Sequence, residues 1–222
     1  MSQGLHSRLE QLIGLLDNVQ ISAGAARWKW TADPTGNFSV KSVKKLLKDD
    51  LSQVNGFVFE WSKWIPAKVN IHVWRMELNK IPSADALKKR NVVIVDSTCP
   101  LCSSEEESVD HLFLACFVAS NVWNGVSSWC NIPNIFAFSL HDLLSIHSNI
   151  GMSERKKEAV KGIIIIACWS IWRARNNLKF SSSSARIEDN ISEIKVLSFL
   201  WYSNRTKHRD LDWKDWCSFV NM

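Results

Sequence analysis

Four side chains with metal-binding chemistry fall in one 18-residue window: Cys99-Pro100-Leu101-Cys102, then His111, then Cys116, a C-x2-C-x8-H-x4-C pattern. Zinc takes four soft or borderline donors at tetrahedral corners, so a chain that offers three thiolates and an imidazole must close round one point. The C-x2-C turn can place two thiolates on one ion while its backbone N–H groups help carry their charge. His111 and Cys116 are five residues apart, about 140° round a regular helix, so both reach one metal only where a helix starts or is locally distorted. A redox C-x-x-C would need a βαβ setting that is absent, and unligated thiols would leave the histidine unexplained. The expected cofactor is therefore one structural Zn2+ on Cys99, Cys102, His111 and Cys116, with no open position for water or substrate. Glu105, Glu106, Glu107 and Asp110 crowd the loop between the ligand pairs and read as solvated charge. Cys130, Cys168 and Cys217 lie on apolar or aromatic faces and read as core residues.

The rest of the composition is that of a globular chain: 222 residues, 46% hydrophobic and 22% charged. Twelve tryptophans against one tyrosine supply large apolar pieces for a core. Only 8 glycines and 5 prolines leave too little turn chemistry for an all-β sandwich, and no glycine-rich phosphate loop is present, which disfavours nucleotide cofactors. The longest apolar run, Ile163 to Trp169, is far short of the roughly 20 residues that cross a bilayer. The polar N-terminus lacks a signal-peptide core, so the expectation is an intracellular protein of nucleus or cytoplasm, neither secreted nor membrane-bound.

The net charge of +5 is mild, but its layout is uneven. Residues 1–98 carry 14 basic and 9 acidic side chains, residues 99–150 carry 0 and 5, and residues 151–222 carry 13 and 8. A phosphate backbone would be held by the basic flanks and repelled by the acidic middle. The sharpest basic feature is Lys41, Lys44, Lys45 and Lys48, at i, i+3, i+4 and i+7 on one helix face. Those four, with Lys68 and Arg75 on a later helix, are the candidate nucleic-acid contacts. A solvated helix face is the competing reading.

Hydrophobic spacing predicts a mainly α fold with one small β-hairpin: a zinc-stabilised helical domain followed by a helical C-terminal part. Leu5, Leu9, Leu12, Ile13 and Leu16 mark a connector helix within 1–27. Trp28 to Thr31 and Asn37 to Val40 flank an Asp33-Pro34-Thr35-Gly36 turn and suggest the hairpin. Helices follow from Pro66 to Asn79, with Val69, Val73, Trp74 and Leu78 inward, from Ser83 to Arg90, and from Ser108 to about Trp129. A linker region, 131–152, includes a short helix from Ser139 to His147. The C-terminal region, 153–222, holds the strongest helix, Ser153 to Phe180, then an SSSSA linker, a helix from Ile187 to Trp201, and a Trp-rich tail. The zinc domain is expected over 28–130.

No catalytic centre is expected. Asp49 and Asp50 form the one adjacent aspartate pair and sit at a helix end, and no nucleophile elbow is present. No small-molecule substrate is implied.

The order Trp30, Gly36-Asn37-Phe38-Ser39-Val40-Lys41-Ser42, Trp61, Trp64, Pro66-Ala67-Lys68-Val69, Trp74-Arg75, Asn79, Pro82, Leu87, Arg90, Cys99-Pro100-Leu101-Cys102, Glu107, His111-Leu112-Phe113, Cys116, Val122-Trp123 resembles a known family. It is similar to the zinc-binding domain that follows the reverse transcriptase in plant non-LTR, LINE-type retrotransposon polyproteins, over roughly residues 28–125. Trp169 to Asn177 resembles the helix that often follows it. The resemblance implies Cys99, Cys102, His111 and Cys116 as zinc ligands and a role in holding RNA or DNA beside an RNA-directed DNA polymerase. It implies a detached C-terminal piece without polymerase, endonuclease or ribonuclease H portions. His72 stands where the family more often has a bulky apolar residue. The other reading is a structural or protein-interaction helical domain, with a protein partner, in which zinc only stabilises the fold.

Overall fold

The computed structural model describes residues 29–43, 45–46, 59–181, 186–207 and 211–219. The connector helix within 1–27, the lysines Lys44 and Lys48, the pair Asp49–Asp50 and residues 182–185 of the serine linker lie outside them. The chain divides into two units, Met1–Gly56 and Phe57–Met222.

In the first unit the Asp33-Pro34-Thr35-Gly36 turn forms: Gly36 N–H donates to the Asp33 carbonyl at 2.9 Å, Thr35 N–H donates to Asp33 Oδ1 at 2.9 Å, and Gly36 takes φ +72°. The expected hairpin does not form. Trp30 N–H reaches the Gly36 carbonyl at 2.8 Å, but no ladder follows among the described residues, because the chain turns into a helix at Val40. Ser39 starts that helix by accepting the Ser42 N–H at 3.1 Å, and Ser42 Oγ accepts the Trp30 indole N–H at 2.7 Å. Helix capping has taken the residues that a second strand would need.

The second unit is helical. Its elements are α1 (Ala67–Glu77), α2 (Ala84–Lys88), a π-helical turn (His111–Ala115), α3 (Phe117–Cys130), α4 (Leu140–Ser145), a 3-10 turn (Ile146–Asn149), α5 (Glu154–Ser181), α6 (Ile187–Arg205) and α7 (Trp213–Ser218). None of the described helices is long and apolar enough to cross a membrane.

α5 is the central element, as its composition predicts: Ile163, Ile164, Ile165 and Ile166 are all at or below 1% exposure, so the helix is covered on every side. Gly162 on α5 sits under the Trp64 indole, so close that a Cβ there would lie 1.9 Å from Trp64 Cζ2. Gly125 does the same for α3 against α6, where a Cβ would meet Ile191 Cδ1 at 2.3 Å. The tail folds as α7 and drives Trp216 into the core, where its carbonyl accepts the Trp129 indole N–H at 2.9 Å and its own indole N–H donates to the Lys195 carbonyl at 3.2 Å. Ile132, Ile135, Leu140, Leu143 and Leu144, from the 131–152 segment, belong to the same core as Val73, Leu112 and Ile171.

Two helices differ from expectation. α1 buries Val69, Asn70, His72, Val73 and Met76, leaving Trp74 and Leu78 exposed. Asn70 explains part of this rotation: it accepts the Ser62 N–H at 3.1 Å and donates to the Ser62 and Ile65 carbonyls at 3.1 and 3.0 Å, pinning the approach to the helix. His72 takes the place expected for an apolar residue, packed against the rings of Trp169 and Trp172 at 5.2 and 5.5 Å. The long helix expected from Ser108 to Trp129 is broken at Cys116, whose ψ of 131° is extended.

Candidate metal centre

The Cys99–Cys102 loop is closed by a short antiparallel pairing rather than by a strand. Thr98 bridges Glu106, Cys99 N–H donates to the Glu105 carbonyl at 2.8 Å and Glu107 N–H to the Ser97 carbonyl at 2.8 Å. Ser103 N–H donates to the Cys99 carbonyl at 2.8 Å, and Ser103 itself takes φ +55°, so the chain reverses tightly after the second thiol. The second ligand pair is set by the π turn. Ser108 starts it, accepting the His111 N–H on its hydroxyl at 3.0 Å. Cys116 N–H then donates to the His111 carbonyl at 2.7 Å, an i→i+5 bond that winds the chain more loosely than an α-helix and brings positions five apart onto one side. This is the local distortion that the H-x4-C spacing demands.

The donor atoms of Cys99, Cys102, His111 and Cys116 all lie within 4.8 Å of one another. Cys102 Sγ and His111 Nε2 are 3.3 Å apart. A tetrahedral zinc with bonds of about 2.3 Å to sulfur places neighbouring sulfurs about 3.8 Å apart, so the donor set fits one zinc ion. Cys99 and Cys116 are buried, and Cys102 and His111 half-buried. The hydrogen bond from Cys99 to Cys116, then burial, push the Cys99 thiol above its ordinary value. The same bond pulls Cys116 below its own, with help from the N–H groups of Ala119 and Val118. Of the two, Cys116 gives up its proton more readily, and zinc binding requires both thiols to lose theirs. The backbone N–H groups of Cys102 and Leu101 also lower the Cys99 value, which is the charge-carrying role expected of the C-x2-C turn.

Glu107, read from sequence as one of a solvated acidic run, is instead at 0% exposure. Its Oε1 accepts the Ala84 N–H at 2.8 Å and Arg175 Nη2 at 2.7 Å, and its Oε2 accepts Arg175 Nε at 2.8 Å. The loop between the ligand pairs is therefore bolted to the start of α2 and to α5. Arg175, a charged residue on the buried central helix, is the partner that draws it inward. Cys130 and Cys168 are buried, and burial pushes both thiols well above their ordinary value.

Among the expected basic contacts, Lys68 and Arg75 lie two turns apart on the exposed side of α1, and Lys41 and Lys45 are exposed in the first unit.

A family model described as zinc-binding in reverse transcriptase matches residues 38–123, a segment that contains all four clustered donors. These residues form a reverse transcriptase zinc-binding domain. Only this domain is recognised, not a catalytic polymerase domain. Comparisons with curated proteins and with solved structures gave no match. The zinc-binding domain ends, by that match, within α3; Arg175, which completes the buried ion pair of its ligand loop, lies beyond it.

Proposed function

We propose that this chain is a non-catalytic, nucleic-acid-binding module derived from a LINE-type retrotransposon polyprotein of plants, with one structural zinc on Cys99, Cys102, His111 and Cys116. The observation that carries this reading is the coincidence of a closed four-donor cluster with a segment matching zinc-binding in reverse transcriptase. Four protein donors complete a tetrahedral shell, so the ion organises the loop and performs no chemistry. Phosphates are held by Lys41, Lys44, Lys45, Lys48, Lys68 and Arg75. Lys68 and Arg75 support this: both are exposed, and neither forms an ion pair with a described carboxylate.

The test is a salt titration of binding to single-stranded RNA and to duplex DNA. Each phosphate contact adds about 0.7 to 0.9 to the slope of log affinity against log salt, so Lys68→Glu with Arg75→Glu should reduce that slope by about 1 to 2. Binding that is absent, or indifferent to salt, would leave the structural or protein-interaction reading in its place.

A further inference from the structure

α1, the 81–94 connection and the C-terminal half of α5 line a cavity of about 590 Å³ that opens to solvent, well inside the range of ligand pockets, roughly 300–1,000 Å³. Its charged lining residues are Lys68, Arg75, Arg175 and Lys179, and no carboxylate lines it. Arg175 is neutralised from behind by Glu107. Arg75 and Lys179 donate to backbone carbonyls, those of Lys80 and Asp96, both at 3.1 Å; Arg75 forms no ion pair with a described carboxylate, and Lys179 has only the exposed Asp96 carboxylate near it. Two cations are thus on α1 and one on α5, with an apolar slot between them.

The slot has two further features. Phe180, on its wall, is 76% exposed, with the Arg175 guanidinium 5.9 Å over its ring. His72 also lines it; the side chain is 8% exposed, and its buried Nε2 has no hydrogen-bond partner. Burial, then the charge of Arg75, hold its pKa down to about 4, so the imidazole is neutral with one unused polar atom, which a ligand reaches only where the wall of the slot gives way. An aliphatic or phenyl side chain would leave that atom unsatisfied, whereas a ring with a hydrogen-bonding edge would satisfy it.

We infer that this cavity accepts one unpaired nucleobase of a single-stranded nucleic acid, stacked on Phe180 with its edge at His72 Nε2 and its flanking phosphates at Lys68, Arg75 and Lys179. The inference rests on the nucleic-acid reading above and adds to it a base-recognising pocket, half of which is built by α5, outside the matched domain. Single-strand binders combine cationic grooves with aromatic platforms in this way. A paired base would have to leave its stack to enter.

The test measures binding of the zinc-loaded full chain to three fluorescein-labelled probes of about 12 nucleotides, an intact single strand, the same strand with every base removed, and a duplex. The intact strand is expected to bind about tenfold tighter than the abasic one, and Phe180→Ala to abolish that advantage while leaving abasic binding unchanged. Phe180 is exposed, so this variant should fold as the wild type does, which its thermal unfolding checks. Lys179→Glu should weaken intact and abasic strands alike. Equal, salt-dependent binding of intact and abasic strands overturns the pocket and leaves the phosphate-binding reading standing. Failure of all three probes to bind overturns both. Capture of an acidic, phenylalanine-bearing peptide that depends on Phe180, with strand binding indifferent to Phe180→Ala, also overturns the pocket and assigns it to a protein partner.

Discussion

Arg175 and Glu107, 68 residues apart in the chain, form a two-pronged ion pair at 3% and 0% side-chain exposure. Glu107 belongs to the loop that joins the two zinc-ligand pairs, and Arg175 to the central helix α5. Removing one partner strands a buried charge, which costs about 3–5 kcal/mol, whereas replacing both with apolar groups of similar size is often near neutral. Arg175→Met should therefore lower unfolding stability by that amount, and Glu107→Met with Arg175→Met should recover most of it, as urea denaturation would show. A loss below about 1 kcal/mol for Arg175→Met would mean that the pair is not the bolt described above. A fragment ending at residue 123, as the family match does, lacks Arg175 and should fail to order its ligand loop.

The metal should govern whether that loop is folded at all. One zinc per wild-type chain is expected by elemental analysis. Cys116→Ser should abolish it, because the fourth donor and the end of the π turn are the same residue. Closed sites of this kind supply on the order of 10 kcal/mol to folding. Chelation should therefore expose the amides of 99–116 to hydrogen exchange while the α5–α6 core stays protected. Retention of stoichiometric zinc by Cys116→Ser would remove this residue from the site.

Ser103 offers the opposite kind of test. It holds φ +55° immediately after the second cysteine, a conformation that costs a residue with a Cβ about 1 kcal/mol and glycine almost nothing. Its side chain makes no described hydrogen bond, so Ser103→Gly should raise the melting temperature slightly or leave it unchanged. A clear loss of stability would show that the hydroxyl has a role.

What could be read from residues alone follows a physical rule. α5 was legible because four consecutive isoleucines permit burial on every side, whatever the neighbours are. The π turn was half legible: five-residue spacing demands distortion if both donors share an ion, but only backbone geometry says which kind. Glu107 was not legible, because three consecutive glutamates look alike and its inward turn follows from the Thr98–Glu106 pairing and a partner 68 residues away. The α1 face was misjudged at Trp74 and Leu78, which are exposed, while His72, polar in any periodicity, is buried against two indoles. The hairpin failed because strand-like residues had no ladder to join once Ser39 began a helix.

Gly162 tests how tightly the zinc domain is seated on α5. A glycine in mid-helix is worth about 1 kcal/mol less than alanine by propensity, yet here the Trp64 ring occupies the place of a side chain, with Cζ2 1.9 Å from any added Cβ. Gly162→Ala must displace a fully buried indole, so it should destabilise by about 1–3 kcal/mol in spite of its better helix propensity. Trp64→Leu combined with it should be less harmful than the two changes summed, since the smaller ring-free side chain makes room. Additive losses in that cycle would argue against the close approach.

His72 sets a pH dependence whose sign can be worked out. Burial, followed by the charge of Arg75, holds its pKa in the folded state at about 4, below the ordinary 6.5. The unfolded chain therefore binds more protons between these values, and stability rises with pH across them. The contribution is fully present above about pH 6.5 and is lost progressively as the pH falls towards 4, reaching about 3 kcal/mol at the bottom of the window. His147, whose pKa is also lowered by burial, acts in the same direction. The decisive measurement is thus a comparison with His72→Leu, whose absolute stability can shift but whose pH slope between 4 and 6.5 should be shallower than that of the wild type. Parallel slopes for the two proteins would show that His72 becomes protonated in the fold as easily as in the unfolded chain, and the buried neutral imidazole between Trp169 and Trp172 would have to be abandoned.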